Sequence, residues 1–328
     1  MTTDVATAAD ALRAGKLVAF ATETVYGLGA NALDASAVAR IFAAKERPLF
    51  DPLIVHLAAR EAIGEVCNAV PPLAERLIEA FWPGPLTLVL PRRDVVPDLV
   101  TAGLPDVAVR VPDHALARAL IARAGVPVAA PSANLFGRVS PTTAAHVMEQ
   151  LDGRIEVVLD GGPCRVGVES TIVAFDAGER PRVLRYGGIA VEALEAVCGT
   201  LALPQAAARH PGAAPGAQPA PGMLEQHYAP RKPLTLLDTL AEADAAQRAA
   251  IARGTLGVLA FRGLPPGCVA PVIETLSAAG SLEEAATRLF AALRRLDAAA
   301  VAGIVAERVP DSGLGRAVND RLRRAAHA

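Results

Sequence analysis

The amino-acid sequence predicts an α/β fold in two parts, a larger domain built on a mixed sheet and a smaller, more regular α/β domain. Short apolar runs rich in β-branched residues alternate with segments of helical spacing, which is typical of a layered α/β protein. A stretch rich in proline, alanine and glycine at 203–222, LPQAAARHPGAAPGAQPAPG, separates the two parts. This composition predicts an extended linker.

The first part contains eight runs with strand character. They lie at 16–20, 52–57, 86–90, 107–111, 126–130, 157–160, 170–175 and 182–185. Four segments between them have helical spacing, and several begin at a capping residue or a proline. They lie at 34–46, 71–82, 113–125 and 141–151. Because the runs are unevenly spaced, we expect a mixed sheet rather than a uniform succession of β-α-β units.

The second part has a simpler alternation, which is typical of a small Rossmann-like α/β domain. Its predicted strands lie at 234–238, 255–261, 268–275 and 299–307, and its predicted helices at 240–254 and 281–297. The sequence therefore predicts a first domain at 1–200, a linker at 201–232 and a C-terminal domain at 233–328.

The overall charge provides no field that would draw the protein onto nucleic acid or an anionic membrane. The 328 residues carry a formal net charge of −2, and 52% of them are hydrophobic, enough for a large core. The four cysteines are widely separated, so neither a zinc site nor a disulfide framework is expected, and a reducing compartment fits. The N-terminus does not resemble a signal peptide, and no apolar run reaches the roughly 18 residues of a membrane span. We expect a cytoplasmic protein that does not associate with membranes.

Several common enzyme motifs are absent from the sequence. It has no P-loop, no strand followed by GxGxxG, no HExxH and no GxSxG. Polar clusters instead follow several predicted strands, where α/β folds tend to bind ligands. The first is ATETVYGLGANA at 21–32, in which Gly27 and Gly29 are expected to permit a tight turn. An ordinary strand-to-loop connection would explain this stretch equally well.

The stretch KERPLFDPLIVH at 45–56 places two cations where a helix is expected to end. Lys45 and Arg47 would diverge on a continuous helix, so they can meet one ligand only if the helix stops before Pro48. Taken alone, the stretch is also explained as a helix C-terminus whose positive charges favour the helix dipole.

The stretch AAPSANLFGRVSPTTAAH at 129–146 contains Ser132 and Asn134 and then a predicted helix start. The free N–H groups of a helix start bind phosphates, and Ser140 would add a hydroxyl group there. The alternative for Ser140 is that it simply caps the helix.

Arg110 lies in the middle of the apolar run VAVRVP, and burying a guanidinium is costly unless it meets an anion. Ser170 opens a predicted strand, and Arg185 closes another before a glycine pair. Together with Lys45 and Arg47, these residues suit the binding of a carboxylate and a polyphosphate, with catalysis by positioning and charge neutralisation. No nucleophile or set of metal ligands accompanies them, so we expect no protein-bound metal or prosthetic group.

Seven ordered blocks resemble the threonylcarbamoyl-AMP synthases with the YrdC-like fold, a twisted mixed sheet with helices. They are TETVYGLGANA, KERPLFDPLIVH, FWPGPLTLVL, VAVRVP, PSANLFGRVSPTT, GVESTIV and VLRYGGI, within about residues 10–190. The linker ending in PGMLEQHYAPRKPL and the appended domain resemble the long, two-domain form of the family. In that form the linker passes over the mouth of the active site.

The resemblance implies an enzyme that converts L-threonine, bicarbonate or CO2 and Mg-ATP to threonylcarbamoyl-AMP and pyrophosphate. ATP with Mg2+ enters as a substrate complex. The product is expected to pass to a transferase complex that modifies an adenosine of tRNA. Whether tRNA binds directly is left open.

The resemblance also implies roles for individual residues. Arg110 would bind the carboxylate of threonine. Lys45 and Arg47, the KxR element of the family, would be the catalytic residues. The residues expected to hold threonine are Thr24, His56, Arg110, Ala130 and Ser170. The residues expected around ATP are Lys45, Arg47, Asp51, Ser132, Asn134, Ser140, Arg185, His227 and Tyr228.

The resemblance is incomplete at position 51, where the family frequently has asparagine and this chain has Asp51. An ionised aspartate would repel phosphate unless it contacts ribose hydroxyls, bound Mg2+ or Arg47.

Two other functions are alternatives to the synthase. An RNA-binding module of the same fold without catalysis is the main alternative, but the acidic isoelectric point and the lack of interleaved aromatic and basic residues argue against it. A maturation factor that uses carbamoyl phosphate would need zinc-finger and acylphosphatase-like segments, which the cysteine spacing excludes.

Overall fold

The computed structural model describes residues 1–176, 178–204, 218, 220–223 and 227–326. Contacts among residues divide the chain into two units. The first comprises Met1–Phe136, Pro141–Arg165 and Glu169–Met223, and the second Gly137–Ser140, Val166–Val168 and Leu224–Ala328. Residues 205–217, 219 and 224–226 of the predicted linker lie outside the described residues. The domain limits taken from the sequence stay a prediction.

The first unit alternates short strands with helices. Its helices are α1 (Val5–Arg13), α2 (Ala35–Lys45), α3 (Pro72–Phe81), α4 (Asp98–Thr101), α5 (Ala115–Ala124), α6 (Ala144–Leu151) and α7 (Val191–Cys198), with a 3₁₀ helix at Arg60–Glu65. Its strands are β1 (Val18–Phe20), β2 (Gly27–Asn31), β3 (Ile54–His56), β4 (Leu86–Pro91), β5 (Asp106–Arg110), β6 (Val128–Ala129), β7 (Val157–Leu159), β8 (Thr171–Phe175) and β9 (Pro181–Arg185).

These strands form a mixed sheet in the order β7-β1-β2-β6-β3-β5-β4-β8-β9, as the uneven spacing of the apolar runs predicted. Parallel pairs join β1 to β7, β3 to β5 and β4 to β8, and the remaining neighbours are antiparallel. Most strand residues are buried, which is typical of a sheet covered on its faces. The parallel pair of β3 and β5 places His56 directly beside Arg110.

The tight turn predicted around Gly27 and Gly29 is wrong, because these residues lie inside strand β2. This strand pairs with β1 on one side and β6 on the other. A Cβ atom added at Gly29 would lie 2.8 Å from side-chain atoms of both Phe20 and Val128. Close packing of neighbouring strands therefore explains this glycine, and no turn is involved.

The start of α6 also differs from the prediction. The helix begins at Ala144, and Thr143 is its N-cap, with its hydroxyl group accepting from the N–H of His146 at 3.3 Å. The alternative that Ser140 caps this helix is therefore wrong. A capping side chain accepts a hydrogen bond from an N–H group of the first turn, so it must lie directly next to the helix.

Trp82 directly follows α3 at the connection to β4. Its side chain is only 8% exposed and packs in the main apolar cluster of the first unit. The indole N–H donates to the carbonyl oxygen of Leu86 at 2.8 Å. This bond satisfies the one polar atom of a large buried ring.

The second unit contains a four-stranded, all-parallel sheet in the order β10-β13-β11-β12. Its strands are β10 (Leu234–Leu237), β11 (Leu256–Ala260), β12 (Ile273–Thr275) and β13 (Gly303–Glu307). Its helices are α8 (Ala245–Ala252), α9 (Leu282–Ala298) and α10 (Gly315–Ala326), with a 3₁₀ helix at Leu240–Glu242. The parallel strands, with α8 between β10 and β11 and α9 between β12 and β13, confirm the predicted small α/β unit.

Candidate active site

Eleven of the predicted site residues lie in the first unit. Ser132 is half-buried and the other ten are buried. Four of them are cations, and nearly complete burial of a cation is unusual unless it is paired. Their partners therefore show what the site is built to hold.

Arg110, at the end of β5, is paired with a carboxylate of the same unit. Its Nη2 atom lies 2.7 Å from Oε2 of Glu23, and its Nη1 atom donates to the hydroxyl oxygen of Thr24 at 3.1 Å. The two charged side chains are 3% and 0% exposed. The sequence showed that this guanidinium needs an anion but did not identify Glu23. The signal was present, since Glu23 stands between two threonines directly after a buried strand.

His56, on β3, lies beside Arg110 as an uncharged ring. Burial and the neighbouring positive charge of Arg110 lower the pKa of His56 to about 3. Its Nδ1 atom lies 3.2 Å from the carbonyl oxygen of Ile54, and its ring meets Phe20 edge to face. Ala130 follows β6, the antiparallel neighbour of β3, and is also buried.

We expect the free energy of unfolding to fall as the pH is lowered from 6.5 toward 5. His56 of the unfolded chain binds a proton near pH 6.5, whereas folded His56 binds it only near pH 3. Protons therefore bind preferentially to the unfolded chain, so this contribution is complete above pH 6.5 and is lost as the pH falls. The loss down to pH 5 amounts to about 2 kcal/mol for this one histidine.

Denaturation in urea at each pH measures this effect. The His56→Gln variant should show a weaker dependence of stability on pH, and His114→Gln, at the N-cap of α5, is the control for loss of a histidine. An unchanged dependence in His56→Gln would contradict the assignment.

Lys45 is the last residue of α2 and is 1% exposed. The helix ends there because Glu46 adopts the left-handed conformation with φ 54°, which confirms the predicted stop before Pro48. The Nζ atom donates to the carbonyl oxygens of Ser132 at 2.6 Å and Asn134 at 2.5 Å. Lys45 thus joins the end of α2 to the loop after β6. Burial lowers its pKa, and Arg47 lowers it further.

Asp51 forms an ion pair with Arg47, which resolves the question raised by an aspartate at this position. The Nη2 atom of Arg47 lies 2.9 Å from Oδ2 of Asp51. The guanidinium also donates to the backbone carbonyl oxygens of Asp51 and Pro52. Burial raises the pKa of Asp51, while the positive charges of Arg47, Lys45 and Arg185 lower it. Three cations therefore surround one buried carboxylate.

Arg185, at the end of β9, donates to three oxygen atoms of the first unit. It binds the carbonyl oxygen and the hydroxyl oxygen of Ser170, both from Nη2, at 2.9 and 3.2 Å. Its Nη1 atom donates to the carbonyl oxygen of Pro221 at 2.9 Å. Ser170 in turn shares a hydrogen bond with Thr87 at 2.7 Å. Ser170, which is predicted to bind threonine, thus contacts Arg185, which is predicted to bind ATP.

Part of the predicted linker lies on the sheet of the first unit beside Arg185. Pro221 provides the carbonyl group just described, and Ala220 is fully buried. The side chains around Ala220 come from four strands of the sheet. They are Ile54, Ala108, Ile172, Ala174 and Leu184.

Ser132 and Asn134 lie in the loop after β6, where their backbone carbonyl groups accept from Lys45. Ser132 also forms a backbone bridge with Gly27. The Nδ2 atom of Asn134 donates to the carbonyl oxygen of Leu135 at 2.7 Å. The structure thus brings Ser132 and Asn134 together with Lys45 through their backbone carbonyl groups, while their role at ATP stays a prediction.

Ser140, His227 and Tyr228 belong to the second unit and are buried there. The ring of Tyr228 stacks on Phe290 of α9 with centroids 5.6 Å apart, and Arg321 of α10 lies 5.2 Å from its centroid. Tyr228 has φ 63°, a conformation that side chains other than glycine rarely adopt. The role of these three residues at the nucleotide stays a prediction.

Within the described ranges, no group of three or more histidine, cysteine, aspartate or glutamate side chains is arranged to hold a metal ion. Among the same residues, no helix combines the length and hydrophobicity that crossing a membrane requires.

Two family models match the chain. The Sua5/YciO/YrdC model, described as "Telomere recombination", matches residues 10–187. A second model, described as "Threonylcarbamoyl-AMP synthase, C-terminal domain", matches residues 189–327.

Curated proteins and solved structures give matches over nearly the whole chain. A threonylcarbamoyl-AMP synthase of Pyrococcus abyssi is 45% identical, covering 97% of this chain and 92% of its own length. The corresponding protein of Bacillus subtilis is 43% identical, covering 98% and 92%. The crystal structure of P. abyssi Sua5 complexed with L-threonine is 42% identical, with a TM-score of 0.86 and coverage of 98% and 94%.

Proposed function

The chain belongs to the threonylcarbamoyl-AMP synthases of the Sua5/YciO/YrdC family, in their two-domain form, and we propose that it joins L-threonine, bicarbonate and ATP with release of pyrophosphate. One observation carries the proposal for the site. The first unit buries four cations, Lys45, Arg47, Arg110 and Arg185, and holds each against carboxylate or carbonyl oxygens. Such a set of donors suits substrates that carry several negative charges.

L-Threonine is proposed to bind beside Arg110, whose guanidinium takes the substrate carboxylate. The hydroxyl group of Thr24 already orients this guanidinium, and uncharged His56 lies next to it. Ala130 and Ser170 complete the proposed threonine site. An arginine suits this role because its planar guanidinium donates two hydrogen bonds to one carboxylate.

ATP is proposed to bind at the three cations around Asp51, with Lys45 and Arg47 as the catalytic residues. Phosphate oxygens would replace the carbonyl oxygens that now accept hydrogen bonds from these cations. Because Asp51 is paired with Arg47, its charge is compensated before the nucleotide arrives. Mg2+ would enter bound to the phosphates. The remaining proposed ATP contacts are Ser132, Asn134, Ser140, His227 and Tyr228.

The proposed reaction needs two anions to meet. The ammonium group of threonine first loses a proton, which dehydrates bicarbonate to CO2 and water. The resulting amine adds to this CO2, giving an N-carboxylate and releasing a second proton. An oxygen of this carboxylate then attacks the α-phosphorus of ATP, and pyrophosphate leaves. Buried cations lower the repulsion in the transition state, and removing one such donor typically costs about 3 kcal/mol, on the order of a hundredfold in rate.

Incubation of the purified protein with radiolabelled bicarbonate, L-threonine and Mg-ATP tests the proposed function. The expected products are a labelled adenylate and an equal amount of pyrophosphate. If threonine does not stimulate pyrophosphate release, the proposal is wrong. Binding of tRNA without such release would instead support the alternative, an RNA-binding module of this fold.

We also propose that the linker acts on the site of the first unit through the residues near Pro221. A chain that ends at residue 202 should fold but turn over far more slowly than the full chain. A chain that ends at 223 keeps Ala220 and Pro221 on the sheet and should recover part of that loss. Steady-state pyrophosphate release compares the two. Equal rates for both truncated chains and the full chain would show that the linker and second unit are dispensable.

The product is proposed to pass to a tRNA-modifying transferase in the cytoplasm. The four cysteines are widely separated in the sequence and form no CxxC pair, which suits a reducing compartment. Comparing tRNA modification in extracts with and without the protein tests whether its product is used by the transferase. If removing the protein does not change the modification, this proposal is wrong.

A further inference from the structure

Two atoms of the Arg110–Glu23 pair have no hydrogen-bond partner among the residues that the structure describes. Glu23 uses Oε2 for Arg110, whereas its other oxygen, Oε1, has no donor. Arg110 uses Nη1 and Nη2 for Thr24 and Glu23, whereas its Nε has no acceptor. Both atoms are buried. A buried polar atom without a partner is unfavourable, so a ligand is expected to supply the missing partners.

A free amino acid carries both missing partners on one carbon atom. Its α-carboxylate accepts hydrogen bonds from a guanidinium, and its α-ammonium group donates to a carboxylate. Placing only the carboxylate of threonine, on Arg110, leaves the ammonium group without a defined acceptor. Oε1 of Glu23 is such an acceptor and belongs to the side chain already bound to Arg110.

The other titratable groups beside Arg110 cannot take this role. Glu23 and Cys164 are the two titratable groups that raise the pKa of Arg110. Burial raises the pKa of the Cys164 thiol to about 12, so it stays protonated. His56 is uncharged and cannot neutralise an ammonium ion. Glu23 therefore provides the negative charge at this end of the site.

We propose that Glu23 binds the α-ammonium group of the amino-acid substrate through Oε1, so that the Glu23–Arg110 pair recognises both charges of the zwitterion. This inference rests on the proposed function and adds a substrate-binding residue to it. It also gives a reason for a buried ion pair at this position, since apolar residues of similar volume would often stabilise a fold equally well. The site should then prefer free amino acids to the corresponding 2-hydroxy acids and amino alcohols.

Calorimetric titration of the full chain with three ligands tests this proposal without nucleotide. L-Threonine carries both charges, 2,3-dihydroxybutanoate of matching configuration lacks the ammonium group, and threoninol lacks the carboxylate. The protein should bind each of the two analogues about tenfold or more weakly than threonine, because each loses a charge-assisted hydrogen bond.

The Glu23→Gln variant should lose this preference for the ammonium group. Its amide keeps an oxygen for Arg110 and places an NH2 group where the ammonium ion would lie. Threonine should then bind about tenfold more weakly, while the affinity for 2,3-dihydroxybutanoate should change little. The two affinities should therefore become similar. Glu156→Gln is the matched control, since Glu156 also pairs with an arginine of the first unit, Arg40, and should leave the preference unchanged.

The outcomes separate this proposal from the proposed function. The role of Glu23 is overturned if the unsubstituted protein binds threonine and 2,3-dihydroxybutanoate with equal affinity. It is also overturned if the Glu23→Gln substitution lowers the affinity for both ligands by the same factor. If Glu23→Gln does not fold, Glu23→Asp keeps the charge at a shorter reach and should retain a smaller preference for threonine. If the protein binds another amino acid with the same dependence on Glu23, but not threonine, the role of Glu23 stands and the proposed substrate is wrong.

Discussion

Replacing Lys45 by methionine is expected to lower turnover about a hundredfold, because it removes one of the cations proposed to contact the phosphates of ATP. Methionine matches the length of the lysine stem and fills the space of a side chain that is only 1% exposed. The carbonyl groups of Ser132 and Asn134 lose their donor, so we also expect the free energy of unfolding to fall by about 1–3 kcal/mol. Pyrophosphate release at saturating threonine measures the first effect, and urea denaturation the second.

Lys16→Met is the matched control for this experiment. Lys16 is exposed, so losing its charge should leave turnover close to that of the unsubstituted protein. The assignment fails if Lys45→Met retains near-normal turnover. It also fails if the rate falls only as far as the loss of folded protein accounts for.

Replacing Arg110 by methionine is expected to abolish the use of threonine and to destabilise the first unit. Glu23 would remain as a buried carboxylate without its cation, and breaking a buried pair in this way costs about 3–5 kcal/mol. Changing both residues, Arg110→Met with Glu23→Gln, removes both charges. This double variant should recover most of the lost stability but none of the threonine-dependent pyrophosphate release.

The comparison of single and double variants separates folding from substrate binding. Arg92→Met breaks a more exposed pair with Asp98, whose side chain is 78% exposed, and should cost only about 1 kcal/mol or less. If the double variant regains threonine use, Arg110 does not bind the substrate. If Arg110→Met is as stable as the unsubstituted protein, the pair does not have the energy assigned to it.

The sequence predicted the fold class well where apolar residues are bulky and branched. It missed strand β2 because Gly27 and Gly29 suggest a turn, whereas the structure needs them where neighbouring strands approach closely. It also missed α1, since ATAADALR is rich in alanine, a residue too small to show a clear apolar face. Both errors concern residues whose role depends on what packs against them.

The cations of the site were predictable, and their internal partners only in part. Asp51 stands four residues after Arg47, so a pairing between them was one of the possibilities that the sequence left open. Glu23 and Arg110 are 87 residues apart, and only the order of the strands brings them together. The burial of Ala220 could not be predicted either, because a composition typical of a linker does not indicate where its residues pack.

The burial of Trp82 makes the first unit optically distinct. It is the only tryptophan of the chain and lies in the apolar core of that unit, with its indole N–H bound to Leu86. Tryptophan fluorescence therefore follows the melting of the first unit alone, whereas the heat absorbed in scanning calorimetry comes from both. A gap between the fluorescence midpoint and the calorimetric peak would thus measure how independently the two units melt, in the intact chain and without any label.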